Sequence, residues 1–255
     1  MSEPRVGLEK RDGVARVTLE APPYNILTCG LMEQLERVLA EVHEDREIKT
    51  VALTAAGKAF SAGADVGEHT PEKADHLIGS FGRLFRRLHT LRVPVVMGVD
   101  GAALGAGFEL ALMADVLIAS EGASFGQPEI RLAFFAPVGV VLLPALVGRA
   151  RAMEITCTGR TYTAREMLEL GVVRQVVPSS ELGAAVESVL EDIRQASPHI
   201  LRMNVGMIKE LEGLPFPEAL GRAEAVFLNE LMKTEDVREG IAAFFEKRRP
   251  RWKNG

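Results

Sequence analysis

Two glutamates, Glu109 and Glu129, and two loops of small residues are the parts of this sequence whose chemistry could act together. The first loop, Phe60-Ser61-Ala62-Gly63-Ala64-Asp65-Val66, follows a short strand-like run. Small residues in series let a ligand approach the backbone, and a loop feeding a helix presents N–H groups without intrahelical acceptors. Alone, it is equally a tight turn with Asp65 as a helix cap. The second loop, Gly101-Ala102-Ala103-Leu104-Gly105-Ala106-Gly107-Phe108-Glu109, superficially matches a dinucleotide fingerprint, but position 110, where the third glycine belongs, is Leu110. What remains is a glycine-rich lead into a helix, with N–H donors and a positive dipole end suited to an oxyanion. Glu109 falls in the first turn of that helix, where the dipole by itself favours a carboxylate. The third segment, Phe125–Leu132, sets Glu129 among Pro128, Ile130 and Leu132. An apolar setting raises a carboxylate's pKa, although most glutamates beside apolar residues are surface charges.

Individually weak, the three segments together describe one chemistry. The loops could polarise a thioester carbonyl, and the two carboxylates could hold a water and shuttle its protons. No metal or cofactor is needed. His43, His69, His76, His89 and His199 are scattered, none beside a Ser or Cys in a nucleophile motif, so each is expected to be a surface or capping residue. The two cysteines, Cys29 and Cys157, are too few for a disulfide framework, which fits a reducing cytoplasm.

These residues need a scaffold, and the chain of 255 residues is long enough to bury a core. Val14–Glu20 alternates after an Asp12-Gly13 turn signal and reads as a strand. Thr28–His43 carries Leu31, Leu35, Val38, Leu39 and Val42 on one helical face, and Ala74–Leu91 carries Leu77, Phe81, Leu84, Phe85 and Leu88. Thr50–Thr54, Val93–Val99, Asp115–Ala119 and Val172–Val177 read as strands, and Phe108–Ala114, Arg149–Thr158 and Thr163–Leu170 as helices. Beyond them lie four helices, Ser180–Gln195, His199–Leu211, Pro217–Leu231 and Thr234–Lys247. Strands alternating with helices make an α/β body over 1–195, followed by a helical region over 196–255. A net charge of -5 argues against nucleic acid as a partner. The N-terminus has no signal-peptide profile and no apolar run reaches the ~20 residues of a membrane span, so a cytoplasmic protein is expected.

Phe60–Glu68, Gly101–Glu109 and Phe125–Leu132 resemble, in order and spacing, the three signature segments of the enoyl-CoA hydratase/isomerase (crotonase) superfamily. Weaker matches run from Asn25-Ile26-Leu27 through Thr158-Gly159-Arg160 to Phe245-Glu246-Lys247-Arg248. The resemblance implies a spiral of β-β-α repeats, with a C-terminal helical region that makes a homotrimer, commonly paired into a homohexamer. It implies an acyl-CoA substrate, an oxyanion hole from the N–H groups of Ala64 and Ala106, and catalysis by Glu109 and Glu129. Ala62, Ala64, Asp65, Val66, Gly67 and Ala106 would line the acyl-CoA groove, and Lys247 and Arg248 could meet the CoA phosphates. Two departures stand out. Ala106 replaces the middle glycine of a three-glycine run, and Phe134, Phe135 and Pro137 replace a glycine-rich stretch after Leu132. The second resembles the cyclohexa-1,5-diene-1-carbonyl-CoA hydratase branch and implies an acyl pocket lined by Phe134 and Phe135. A straight-chain enoyl-CoA hydratase is the alternative, and an enoyl-CoA isomerase a more distant one.

Overall fold

The structure, a computed structural model, describes residues 3–253. It opens with a hairpin of β1 (Arg5–Arg11) and β2 (Val14–Glu20). Asp12 and Gly13 both take positive φ, 51° and 74°, the two-residue turn whose twist suits a hairpin. Next come α1 (Cys29–Glu44), β3 (Thr50–Ala55), β4 (Ala59–Ser61) and α2 (Ala74–Thr90). The pattern repeats as β5 (Val95–Val99), β6 (Ala102–Leu104) and α3 (Ala106–Leu112), then β7 (Val116–Ser120), β8 (Ser124–Gly126) and α4 (Pro137–Thr158). The chain continues through β9 (Thr161–Thr163), α5 (Ala164–Glu169), β10 (Gln175–Val177), α6 (Leu182–Arg194), α7 (Pro198–Leu211), α8 (Phe216–Asn229) and α9 (Glu235–Glu246).

In each repeat the first strand joins a large sheet and the second a small one. The large sheet has order β1-β2-β3-β5-β7-β10 and the small one β4-β6-β8-β9. Every large-sheet pairing is parallel except the opening hairpin. Parallel strands covered on both faces need continuous apolar runs rather than alternation, and all five residues of β5 are buried. The five apolar residues expected to face inward from α2 are all buried. Leu31, Leu35, Leu39 and Val42 of α1 are buried with them, Val38 only partly. On the other face, Val186, Val189 and Leu190 of α6 pack against Val14, Ala52, Val96 and Ile118. The result is the expected α/β spiral of β-β-α turns.

Among the boundaries that differ from the sequence reading, three have a clear local reason. The third helix starts at Ala106 rather than Phe108, because Gly105 takes φ 54° and turns the chain into the helix two residues early. The last strand is Gln175–Val177, not Val172–Val177, because the N–H groups of Val172 and Val173 bond to Met167 O at 3.0 and 3.1 Å and close α5. The Arg149–Thr158 helix is the second half of α4, which begins at Pro137 and breaks at Gly148. Its first half hides in the sequence behind a valine-rich run and Pro144, both poor helix signals.

The helices after residue 195 attach unequally. α7 is pinned by its basic residues to the carbonyl ends of the core helices. Arg202 donates to His43 O at 3.2 Å, and Lys209 Nζ to Leu91 O at 2.9 Å. α8 has no buried residue. Among the described residues, no helix is long and apolar enough to cross a membrane.

Candidate active site

The small sheet gathers the three sequence segments. β4, β6 and β8 lie parallel and adjacent, so the loops leaving them emerge side by side. The first loop is held from outside by Asn25, which is buried and donates to Ala56 O and Ala59 O at 2.7 and 2.8 Å. Leu27 N–H adds a bond to Gly63 O at 2.9 Å. The first two loops then touch backbone to backbone. A Cβ at position 107 would stand 2.4 Å from Ser61 O, and one at position 63 would stand 2.9 Å from Leu104 O. Glycine is the residue that permits such approach. The hydrogen bonds holding these loops use the N–H groups of Ala62, Gly63 and Gly105. Among the described residues they leave out those of Ala64 and Ala106, 42 positions apart in sequence (106 minus 64). Ala106 opens α3, so its N–H has no acceptor within the helix.

Glu109 lies one turn further along α3 and is 1% exposed. Its Oε1 accepts from Val138 N–H at 2.6 Å and Gly139 N–H at 2.9 Å, the first turn of α4. Burial pushes its pKa up to about 7; the two N–H donors pull it down, and the neighbouring charge of Glu129 pushes it up again.

Glu129 lies in a 3-10 turn, Pro128–Leu132, near enough for its charge to act on Glu109, and is half-buried. Its carboxylate closes on the second loop: a Cβ at Gly105 would lie 2.8 Å from Glu129 Oε1. Gln127, buried, holds it from behind. With its amide nitrogen turned to the carboxylate, it donates to both oxygens at 3.0 Å. Burial raises the pKa of Glu129, while its own backbone N–H and the imidazole of His69 pull it back.

The remaining residues expected from the sequence differ in depth. Ala106 is buried, Ala62, Ala64 and Asp65 are half-buried, and Val66 and Gly67 are exposed at the rim. Asp65 Oδ1 caps the following turn by accepting from Gly67 N–H at 2.7 Å. Phe134 and Phe135 follow Glu129 on the outer wall, 38% and 68% exposed. Phe134 is anchored through its N–H to Glu129 O at 3.0 Å. Arg248 ion-pairs with Glu239 and Glu246 on its own helix end. Among the described residues, no group of three His, Cys, Asp or Glu could hold a metal. A cavity of about 790 Å³ lies elsewhere, between the large sheet and α6, and includes neither glutamate.

Two contacts were not read from the sequence. Gln127 lies inside the third segment, where a polar residue before Pro128-Glu129 was the available signal. His69 gives no such signal, because its partner Phe134 is 65 positions away (134 minus 69).

The enoyl-CoA hydratase/isomerase family model matches residues 9–255. A cyclohexa-1,5-dienecarbonyl-CoA hydratase of Thauera aromatica is 34% identical over 98% of this chain and 96% of its own length. A short-chain-enoyl-CoA hydratase of Clostridium acetobutylicum is 35% identical over 95% of each chain. The crystal structure of an enoyl-CoA hydratase from Bacillus anthracis superposes with a TM-score of 0.93 at 31% identity, covering 98% of this chain and 100% of that one.

Proposed function

The chain belongs to the enoyl-CoA hydratase/isomerase family and is an enzyme of its hydratase type; from that premise we propose that Glu109 and Glu129 add water to cyclohexa-1,5-diene-1-carbonyl-CoA. The observation that carries the catalytic part is the meeting of two carboxylates with raised pKa beside two loops with uncommitted N–H groups. The thioester carbonyl accepts hydrogen bonds from Ala64 N–H and Ala106 N–H, which stabilise the enolate that forms as water attacks. Each such donor contributes about 3 kcal/mol to lowering the barrier. The glutamates act as a pair holding one proton between them. One takes a proton from the water as its oxygen bonds to the electrophilic carbon, and the other delivers its proton to the carbanionic carbon. Water is thereby added across the conjugated system, giving 6-hydroxycyclohex-1-ene-1-carbonyl-CoA, a step in breaking down an aromatic acid.

The ring substrate rests on Phe134 and Phe135, which supply flat apolar surface beside Glu129, and on likeness to the Thauera enzyme. A straight-chain enoyl-CoA is the second reading, favoured by the equally close Clostridium relative. Hydration of the cyclic diene thioester and of crotonyl-CoA, followed side by side by absorbance, separates them. Preference for the ring supports the proposal. Preference for crotonyl-CoA keeps the two-glutamate chemistry and removes the ring.

The assembly we propose is a homotrimer or a pair of trimers. Phe216, Phe227 and Leu228 of α8 and Phe244 and Phe245 of α9 are all more than half exposed, a quantity of apolar surface that a monomer seldom leaves in water. A monomeric mass by light scattering would remove this assignment.

A further inference from the structure

We propose that His69 is a positioning residue that sets acyl-group specificity, by bracing Phe134 as the wall of the pocket beside Glu129. The inference rests on the proposed reading of the Glu109 and Glu129 region as the acyl site. His69 is clamped twice to its own turn. Its N–H bonds to Val66 O at 3.1 Å and its Nδ1 meets Asp65 O at 2.8 Å. A carbonyl oxygen only accepts, so Nδ1 carries the hydrogen and the ring is fixed in one orientation.

That ring meets the ring of Phe134 with centroids 5.1 Å apart and planes tilted by 55°, within the range aromatic pairs prefer. Phe134 needs such a brace. It follows Ala133, which takes φ 63°, and its backbone is tied to Glu129, but its side chain projects from an irregular segment and is 38% exposed. The contact also closes a circuit. The first loop touches the second at Gly63, the second touches Glu129 at Gly105, and His69 joins the first loop back to the Glu129 segment. The imidazole lies within electrostatic reach of Glu129 as well. His69 therefore belongs to the site through two neighbours, without being required to touch the reacting atoms.

The test separates ring packing from general damage, and from the hydratase reading itself. Calorimetry would give Kd for two unreactive thioesters, cyclohexanecarbonyl-CoA and butyryl-CoA, on the intact protein and on His69→Ala, His69→Phe and Glu109→Gln. His69→Ala is expected to weaken the cyclic thioester about tenfold relative to butyryl-CoA. His69→Phe, which keeps a ring against Phe134, should restore the ratio to within about threefold of the parent. An unchanged ratio in His69→Ala, or a ratio not restored by His69→Phe, overturns the proposal. Because neither ligand turns over, a parent that hydrates no enoyl thioester yet shows the His69 effect would sink the hydratase reading alone.

Discussion

The candidate site has two walls built on opposite principles. The inner wall runs from Gly105 through Glu109 and is buried almost throughout, locked by backbone contact at Gly107 and by the first turn of α4. The outer wall, from Glu129 to Phe135, is half-exposed and lies in a 3-10 turn and an irregular link. A carboxylate in the inner wall is tuned by desolvation that the fold enforces. Side chains in the outer wall are held by a few contacts each, from Gln127 and His69. Reactivity is thus stored where the structure cannot relax, and selectivity where it can vary.

The largest effect that would break this division is loss of either carboxylate. Glu109→Gln and Glu129→Gln should each lower kcat by about 10²-fold or more if the pair exchanges protons with water. Steady-state hydration of the cyclic thioester checks it, and near-parental turnover in both variants would dismiss the mechanism. Next is the rigidity of the inner wall. Gly107→Ala gains helix propensity of about 1 kcal/mol, yet its methyl would meet Ser61 O at 2.4 Å. A backbone carbonyl is hard to displace, so the collision should win by about 1–3 kcal/mol. Chemical denaturation should show lower stability for Gly107→Ala, and a gain would mean that the two loops can part.

Desolvation of Glu109 carries its own signature in stability. Its folded pKa of about 7 exceeds the ordinary 4.5, so the stabilisation it offers as a neutral acid is complete below 4.5 and lost as pH rises through 7. The gap corresponds to a cost of roughly 3 kcal/mol in the ionised state. Glu109→Gln stays neutral and can still accept the N–H bonds of Val138 and Gly139. It should therefore melt several degrees above the parent at pH 8, with the gain shrinking toward pH 5. Equal gains at both pH values would show that charge burial is not what sets this carboxylate apart.

The two walls were also unequally legible in the sequence. The apolar faces of α1 and α2 were visible because 3.6-residue periodicity is local. The inner wall was readable as far as Glu109 being in a first helical turn. Its N–H donors were not, since they come from 29 and 30 residues downstream, in the part of α4 that a run of valines and Pro144 disguised. The positive φ of Gly105, which brings Ala106 to the helix start, is likewise a property of the folded loop. On the outer wall Phe134 could be named from its type and place, whereas nothing in the sequence around His69 sets it apart from a surface histidine. What pairs them is the closing of the spiral, which no local pattern records.

Phe134 is where the two walls can be told apart with the least disturbance to the chemistry. If the outer wall governs acyl shape alone, Phe134→Ala should change the ratio of kcat/KM for the cyclic diene over crotonyl-CoA by about tenfold, with kcat for crotonyl-CoA nearly unchanged. Truncating a partly exposed ring removes apolar contact with the acyl group but leaves Glu109 and its donors intact. Phe135, more exposed at 68%, should contribute less in an isolated chain. Should Phe134→Ala instead depress kcat for both thioesters equally, its N–H bond to Glu129 O would mark it as part of the support for that carboxylate, and the two walls would be one mechanical unit.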